Sequence, residues 1–240
     1  MKCNLPIIYV FYFLLISIPT SCSDTLIGDE GKLDEDTYLN YQTKTDLELP
    51  FEEEWYVFVG GRTHSNGGHH FITRGTGQRY AYDIAVVIDG SSFSGDSSKN
   101  ESHHCFGKRL YAPADGKIIA LENNIDDNYV SGTVNNDIND SNLAGNYIII
   151  DHLNGEYSML AHFKKSTITV AIGDTVVKGQ EVGKAGNSGN STGPHLHYHL
   201  QNTPSYLNGI GLPAQFTNYY EDDVLTERGE PERGQTVAKN

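Results

Sequence analysis

From Pro194 the chain alternates with a period of two: His195, His197 and His199, with Leu196, Tyr198 and Leu200 between them. Successive side chains of a strand point to opposite faces, so this period predicts a strand with three histidines on one face and Leu, Tyr and Leu on a core face. Neighbouring histidines on such a face stand about 7 Å apart, close enough for two to converge on one small site, one as a metal ligand and one beside the metal. The plainer alternative is three histidines on the wet side of a half-buried strand. With 10 histidines in 240 residues, chance supplies such a triplet only about 0.02 times in a chain of this length, which weighs against accident. The Gly/Asn/Ser run at residues 186–193 reads as a flexible loop leading into the strand.

The rest of the chain is punctuated in the same way. Trp55–Val59 predicts a strand closed by Gly60 and Gly61. Residues 63–77 form a loop rich in Gly and His, with His64, His69 and His70. Arg79–Val87 predicts a strand with Tyr80, Tyr82, Ile84 and Val86 on one face and Ala81, Asp83, Ala85 and Val87 on the other. Asp83 is the only acid there, and a half-buried carboxylate needs a cation or donors; a salt bridge is the simple alternative. Leu110–Glu122, Asn146–Asp151 and Glu156–Phe163 predict further strands. In the last, strict alternation puts His162 opposite Tyr157, Met159 and Ala161. The glycines at 173 and 179 predict tight hairpins. Residues 90–108, with His103, His104 and Cys105, and residues 123–142 read as polar loops, the second with nothing that recruits chemistry. Many short strands, frequent glycine turns and no helical period predict an all-β or nearly all-β domain.

The ends read differently. Lys2 followed by an apolar run at residues 7–18, broken only by Ser17, is too short to span a membrane and fits a secretory signal. Ser21-Cys22 after it resembles the processing site of a bacterial lipoprotein, which predicts an exported protein of the cell envelope, lipid-anchored through Cys22. Ordinary cleavage near Ser21 or Ser23 is the alternative; in that case Cys22 is free to pair with Cys105. The boundaries are therefore a signal at 1–22, an acidic tether at 23–46, one domain at 47–220 and a loose polar tail at 221–240. The formal charge of −14 repels phosphates and argues against a nucleic-acid role. Cysteines at 3, 22 and 105 contain no Cys-x-x-Cys pair, which removes a thiolate zinc site. No His-Glu-x-x-His occurs, so a helix-borne zinc site with a Glu base is also excluded.

Taken in order, Gln78-Arg79-Tyr80-Ala81-Tyr82-Asp83, Ala112-Pro113-Ala114-Asp115-Gly116, Gly145-Asn146-Tyr147, Ala161-His162, Gly173-Asp174, Gly179-Gln180 and the run from Gly186 to His197 resemble the lysostaphin-like zinc endopeptidases. The resemblance covers residues 50–201. It implies a compact antiparallel β sandwich or barrel-like domain with long loops around a zinc groove, and hydrolysis of peptide bonds in bacterial peptidoglycan. By position, Asp83 and His197 match zinc ligands, and His162 and His195 match the two catalytic histidines that do not bind metal. His199 matches no catalytic position. Arg79 stands where many members carry the first ligand. A subgroup takes that histidine from further upstream, which implies His70 or His69 as the first ligand, with His70 preferred.

Two histidines and a carboxylate leave a fourth position on Zn²⁺ for water, the arrangement of a catalytic site. A zinc-free binding or regulatory module on the same scaffold, sensing wall peptides or activating another wall hydrolase, is the alternative. A biotin- or lipoyl-type carrier would account for the glycine hairpins but not for the histidines.

Overall fold

The computed structural model describes residues 38–62, 77–134, 137–205 and 207–240. The signal at 1–22, most of the tether, and His64, His69 and His70 lie outside the described residues.

Among the described residues, thirteen strands follow one another with only a short 3-10 turn at Asn100–Ser102 among them. They are β1 (Glu54–Val59), β2 (Tyr82–Ala85), β3 (Arg109–Tyr111), β4 (Gly116–Glu122), β5 (Asn146–Asp151), β6 (Tyr157–Phe163), β7 (Thr175–Val176), β8 (Glu181–Lys184), β9 (Leu196–Gln201), β10 (Gly211–Leu212), β11 (Phe216–Glu221), β12 (Val224–Gly229) and β13 (Thr236–Lys239). Ten lie in the order β12-β11-β13-β1-β2-β9-β6-β5-β4-β7, with β10 added on β9, and β3 pairs β8 in a second, small sheet. Every strand pair is antiparallel. The domain is nearly all-β, as the short periodic runs require.

One core joins the two sheets. Ile84, Ile118, Ile148, Ile150, Leu160, Leu196, Tyr198 and Leu200 of the large sheet pack in one cluster with Leu110 and Val182 of the small one. Each fully buried aliphatic side chain of this kind contributes about 1.5–3 kcal/mol. The opposite side of the β5–β6 pair carries a second, small cluster of Ala144, Ile149, Met159 and Ala161.

Four expectations are corrected. The predicted strand at 79–87 is shorter, because Gln78 and Ala81 close a turn (Ala81 N to Gln78 O, 3.1 Å) before β2 begins. The glycines near 173 and 179 do not make a hairpin of β7 with β8; β7 pairs β4 and β8 pairs β3, so the turn at Gly179 carries the chain from one sheet to the other. The tail is not loose: β12 and β13 extend the large sheet through β11 and β1. Residues 38–46 are likewise built into the domain. Glu156, fully buried, accepts from Tyr41 Oη (2.7 Å), Lys44 N (2.7 Å), Thr45 N (2.8 Å) and Thr45 Oγ1 (2.5 Å). Arg62 binds the carbonyls of Leu39 and Tyr41 while paired with Glu230. Burial alone would raise the Glu156 carboxyl, but the donors from Lys44, Thr45 and Tyr41 hold it below the usual value.

Candidate metal centre and cleft

Strand β9 is central to the site because it lies between β2 and β6. The register puts His197 opposite Asp83 on one side and opposite Ala161 on the other. The predicted alternation is present, with His195, His197 and His199 on one face, but that face is not wet. All six residues of β9 are buried, and His195, just before it, is half-buried.

A row of hydrogen bonds runs along that face. Asp83 Oδ1 lies 2.9 Å from His197 Nδ1, His197 Nε2 lies 3.0 Å from His199 Nδ1, and His199 Nε2 lies 3.0 Å from Gln201 Oε1. Gln201 Nε2 donates to the Thr203 carbonyl at 2.8 Å, which fixes the amide orientation. Reading back from that end, His199 donates through Nε2 and accepts at Nδ1, so His197 donates through Nε2. The Nδ1 lone pair of a neutral His197 then meets a carboxylate oxygen. Two acceptors at 2.9 Å need a cation between or beside them, either a proton or a metal ion. The donor set therefore fits a metal.

His162 arrives by an unexpected route. Its φ is +63°, a left-handed conformation rare for a residue with a side chain. The β5–β6 register slips here, with Asn146 opposite Phe163 and Tyr147 opposite Ala161. The backbone is held by His162 N to Ala144 O (3.1 Å) and Gly186 N to His162 O (3.0 Å). The slip returns Phe163 to the main core and turns His162 to the cleft, on the side of Met159 and Ala161. This corrects the face predicted from strict alternation. Non-glycine residues in this region cost about 1–3 kcal/mol and cluster at functional sites.

The imidazole centroids of His162 lie 4.8 Å from His195 and 5.6 Å from His197. His162, His195 and His197 bring ligand nitrogens within 4.8 Å of one another, and His195 Nε2 stands 3.4 Å from Asp83 Oδ1. His162 Nδ1 donates to the Ser188 carbonyl (2.7 Å) and His195 Nδ1 to the Gly193 carbonyl (2.8 Å), so both present Nε2 to the site. Burial, then His195 and His197, hold His162 well below the ordinary imidazole value. Burial also lowers His195, but the Asp83 carboxylate outweighs it and the net direction is up.

These groups lie where two lobes of a cleft meet. One, of about 360 Å³, is lined by Gln78, Met159, His162 and Asn190; the other, of about 430 Å³, by Phe58, His103, Ser131 and Pro194; both share Asp83, Thr192 and His195. His103, read from sequence as part of a solvated loop, joins two loops by contacting the Ser97 carbonyl (3.0 Å) and Ser131 Oγ (2.9 Å).

Residues 103–209 match the profile of Peptidase family M23. That segment, just under half of the chain, is similar to the M23 peptidases. The matched segment contains His162, His195 and His197, and the β2–β9 register brings Asp83 to it from outside. Among curated relatives, 57 residues are 47% identical to the peptidoglycan DD-endopeptidase ShyA of Vibrio cholerae, covering 24% of this chain and 13% of that protein. A stretch of 132 residues is 39% identical to an uncharacterized metalloprotease of Haemophilus influenzae, covering 53% and 24%. The chain thus spans less than a quarter of the length of either relative. Among solved structures, the catalytic domain of lysostaphin from Staphylococcus simulans aligns over 67% of this chain and 88% of its own at 21% identity, with a TM-score of 0.36.

Asp83, His162, His195 and His197 come together at one cleft, and His70 lies outside the described residues. Two contributions were not read from the sequence. His199 and Gln201 extend the row from His197, a role readable from the continued spacing of two. The loop at 186–193 was read as flexible, yet Asn187 and Ser188 are fully buried. Gly145 and Gly189, at φ +61° and +75°, pack backbone on backbone, and a Cβ on Gly189 would stand 2.3 Å from Gly145 N. Cys105 is buried in the core, where its Sγ–H donates to the Pro194 carbonyl (3.0 Å) and burial pushes the thiol up to about 12.

Proposed function

We propose that this chain is an exported, zinc-dependent endopeptidase that hydrolyses peptide bonds in bacterial cell-wall peptidoglycan. The observation that carries this reading is the Asp83–His197 contact, with His162 and His195 beside it in a two-lobed cleft. The match to Peptidase family M23 and the likeness to peptidoglycan DD-endopeptidases support the substrate class. Asp83 and His197 would hold the zinc together with His70. The ion would supply a water acidified to a pKa of about 7 and polarise the scissile carbonyl.

The chain's own residues do the rest. His162 and His195 keep their Nδ1–H groups on carbonyls, so each handles protons at Nε2, the nitrogen facing the cleft. A neutral histidine of the pair takes the proton of the attacking water at Nε2 and passes it to the leaving amine, and the other, when protonated at Nε2, donates a hydrogen bond to the oxyanion. His199 fixes the Nε2 side of His197, and thereby the direction of its other nitrogen. The two lobes seat the peptide on either side of the bond that breaks.

Purified peptidoglycan sacculi incubated with the zinc-loaded chain should release peptide fragments with new amino termini, detected by chromatography and mass spectrometry. A chelator should stop this and added zinc restore it. Zinc binding without any release of fragments would instead favour a regulatory module.

A further inference from the structure

Three segments distant in sequence meet behind the cleft wall. Asn128, only 1% exposed, comes from the loop between β4 and β5. Its Nδ2 lies 2.8 Å from the Asn187 carbonyl, 3.0 Å from that of Gly189 and 2.7 Å from that of Ser191. Carbonyls only accept, so the amide nitrogen rather than its oxygen faces all three. The Asn128 N–H donates to Asn187 O at 2.9 Å, and the Asn128 carbonyl accepts from Asn100 Nδ2 at 2.7 Å. Asn187 Nδ2 donates to Asn100 Oδ1 at 2.8 Å, and Ser191 Oγ donates to Asn187 Oδ1 at 2.7 Å. Asn100, Asn128, Asn187 and Ser191 thus form a buried polar ring.

The ring fixes residues 187–191, and that segment touches both histidines. The Ser188 carbonyl accepts from His162 Nδ1 at 2.7 Å. Ser191 Oγ lies 3.2 Å from His195 Nδ1, beside the Gly193 carbonyl that accepts from it. Asn128 lines neither lobe of the cleft. Its described hydrogen bonds reach the chemistry through the loop.

We propose that Asn128 is a positioning residue for the hydrolysis: its amide gathers three carbonyls of the 187–191 loop and so aims the Nε2 atoms of His162 and His195 into the cleft. The proposal rests on the reading of those histidines as proton-handling groups. Misplacement of a reacting group by about 1 Å costs on the order of 10²-fold in rate, which a single buried amide can control without touching substrate.

Asn128→Asp keeps the size and replaces the donor by an acceptor facing three carbonyls; Asn128→Ala removes the group. Both are made in the full chain, loaded with zinc and assayed on a soluble cross-linked muropeptide. We expect kcat to fall about 10–100-fold with KM within about twofold of wild type. Zinc content should be that of wild type. Imidazole ¹⁵N spectra should show His162 and His195 as Nδ1–H tautomers in wild type and as tautomer mixtures in the variants. Unchanged kcat overturns the proposal, and so does a fall in kcat that tracks loss of zinc, which marks a scaffold role alone. If the variants do not fold, Ser191→Ala, which cuts the ring's contact with His195, must lower kcat with zinc retained, and wild-type kcat there overturns the idea. If wild type with zinc hydrolyses nothing, the functional reading fails, and the spectra alone decide on Asn128: unaltered tautomers reject it.

Discussion

Asp83 Oδ1 stands 2.9 Å from His197 Nδ1, across the pairing of β2 with β9, and the row through His199 and Gln201 leaves the Nδ1 lone pair of a neutral His197 facing that oxygen. With His197 neutral, the contact calls for a cation, either a proton or a metal ion. Its neighbours His162 and His195 are close enough to serve as further ligands or as proton carriers, and mutation separates these roles.

His162→Ala and His195→Ala are expected to keep the metal and the fold but to lower peptidoglycan turnover about 10²–10⁴-fold, the usual worth of acid–base and oxyanion groups. Metal analysis and a wall-lysis assay on the same samples check this. Loss of metal in either variant would make His162, His195 and His197 the ligand set, since their nitrogens already lie within 4.8 Å of one another.

His70→Ala is expected to empty the metal site, whereas His69→Ala should leave it filled. Arg79 is no ligand, and on the proposed reading a histidine from residues 63–77 completes the set with Asp83 and His197. Equilibrium dialysis against zinc reads the difference; full occupancy in His70→Ala rejects the assignment.

Much of this was legible before the fold was known. The period of two from His195 fixed the strand and its histidine face, and Asp83 in an apolar strand marked a carboxylate in need of a cation. The side taken by His162 was not legible, because a positive φ at a histidine leaves no trace in hydrophobic periodicity. Strands β12 and β13 were missed for a different reason. Val224 and Leu225 are exposed and only Val237 of β13 is buried, so the edge of the sheet has little core face to write a pattern. Nor could composition show that the Gly/Asn/Ser loop is packed: its amides are satisfied by Asn100 and Asn128, some 60 to 90 residues away in sequence.

Glu156 offers a test of how residues 38–46 are held. Glu156→Gln removes a buried carboxylate that accepts from Tyr41, Lys44 and Thr45, and should cost about 1.5–3 kcal/mol near neutral pH. Its folded pKa is depressed, so the stabilisation is present above the unfolded carboxyl value of about 4.3 and is lost as pH falls through the folded one. Urea unfolding of wild type and variant at pH 7 and pH 3 should show the gap shrinking in acid. An equal gap at both pH values would mean that the charge of Glu156 is not what matters.

Cys22→Ser should move the protein from the membrane to the soluble envelope fraction, if the Ser21-Cys22 site after the apolar run is lipidated. Fractionation of cells carrying each form measures it. Native protein already in the soluble fraction excludes the anchor.

The most direct test of the account is metal content in the purified soluble domain, residues 38–240, as wild type, Asp83→Ala and His197→Ala, each refolded with zinc present. The account predicts about one zinc per wild-type chain, the stoichiometry of a catalytic site, and loss of that zinc in both variants together with wall-lytic activity. A wild-type domain that folds and holds no zinc, or variants that retain it in full, would contradict the account.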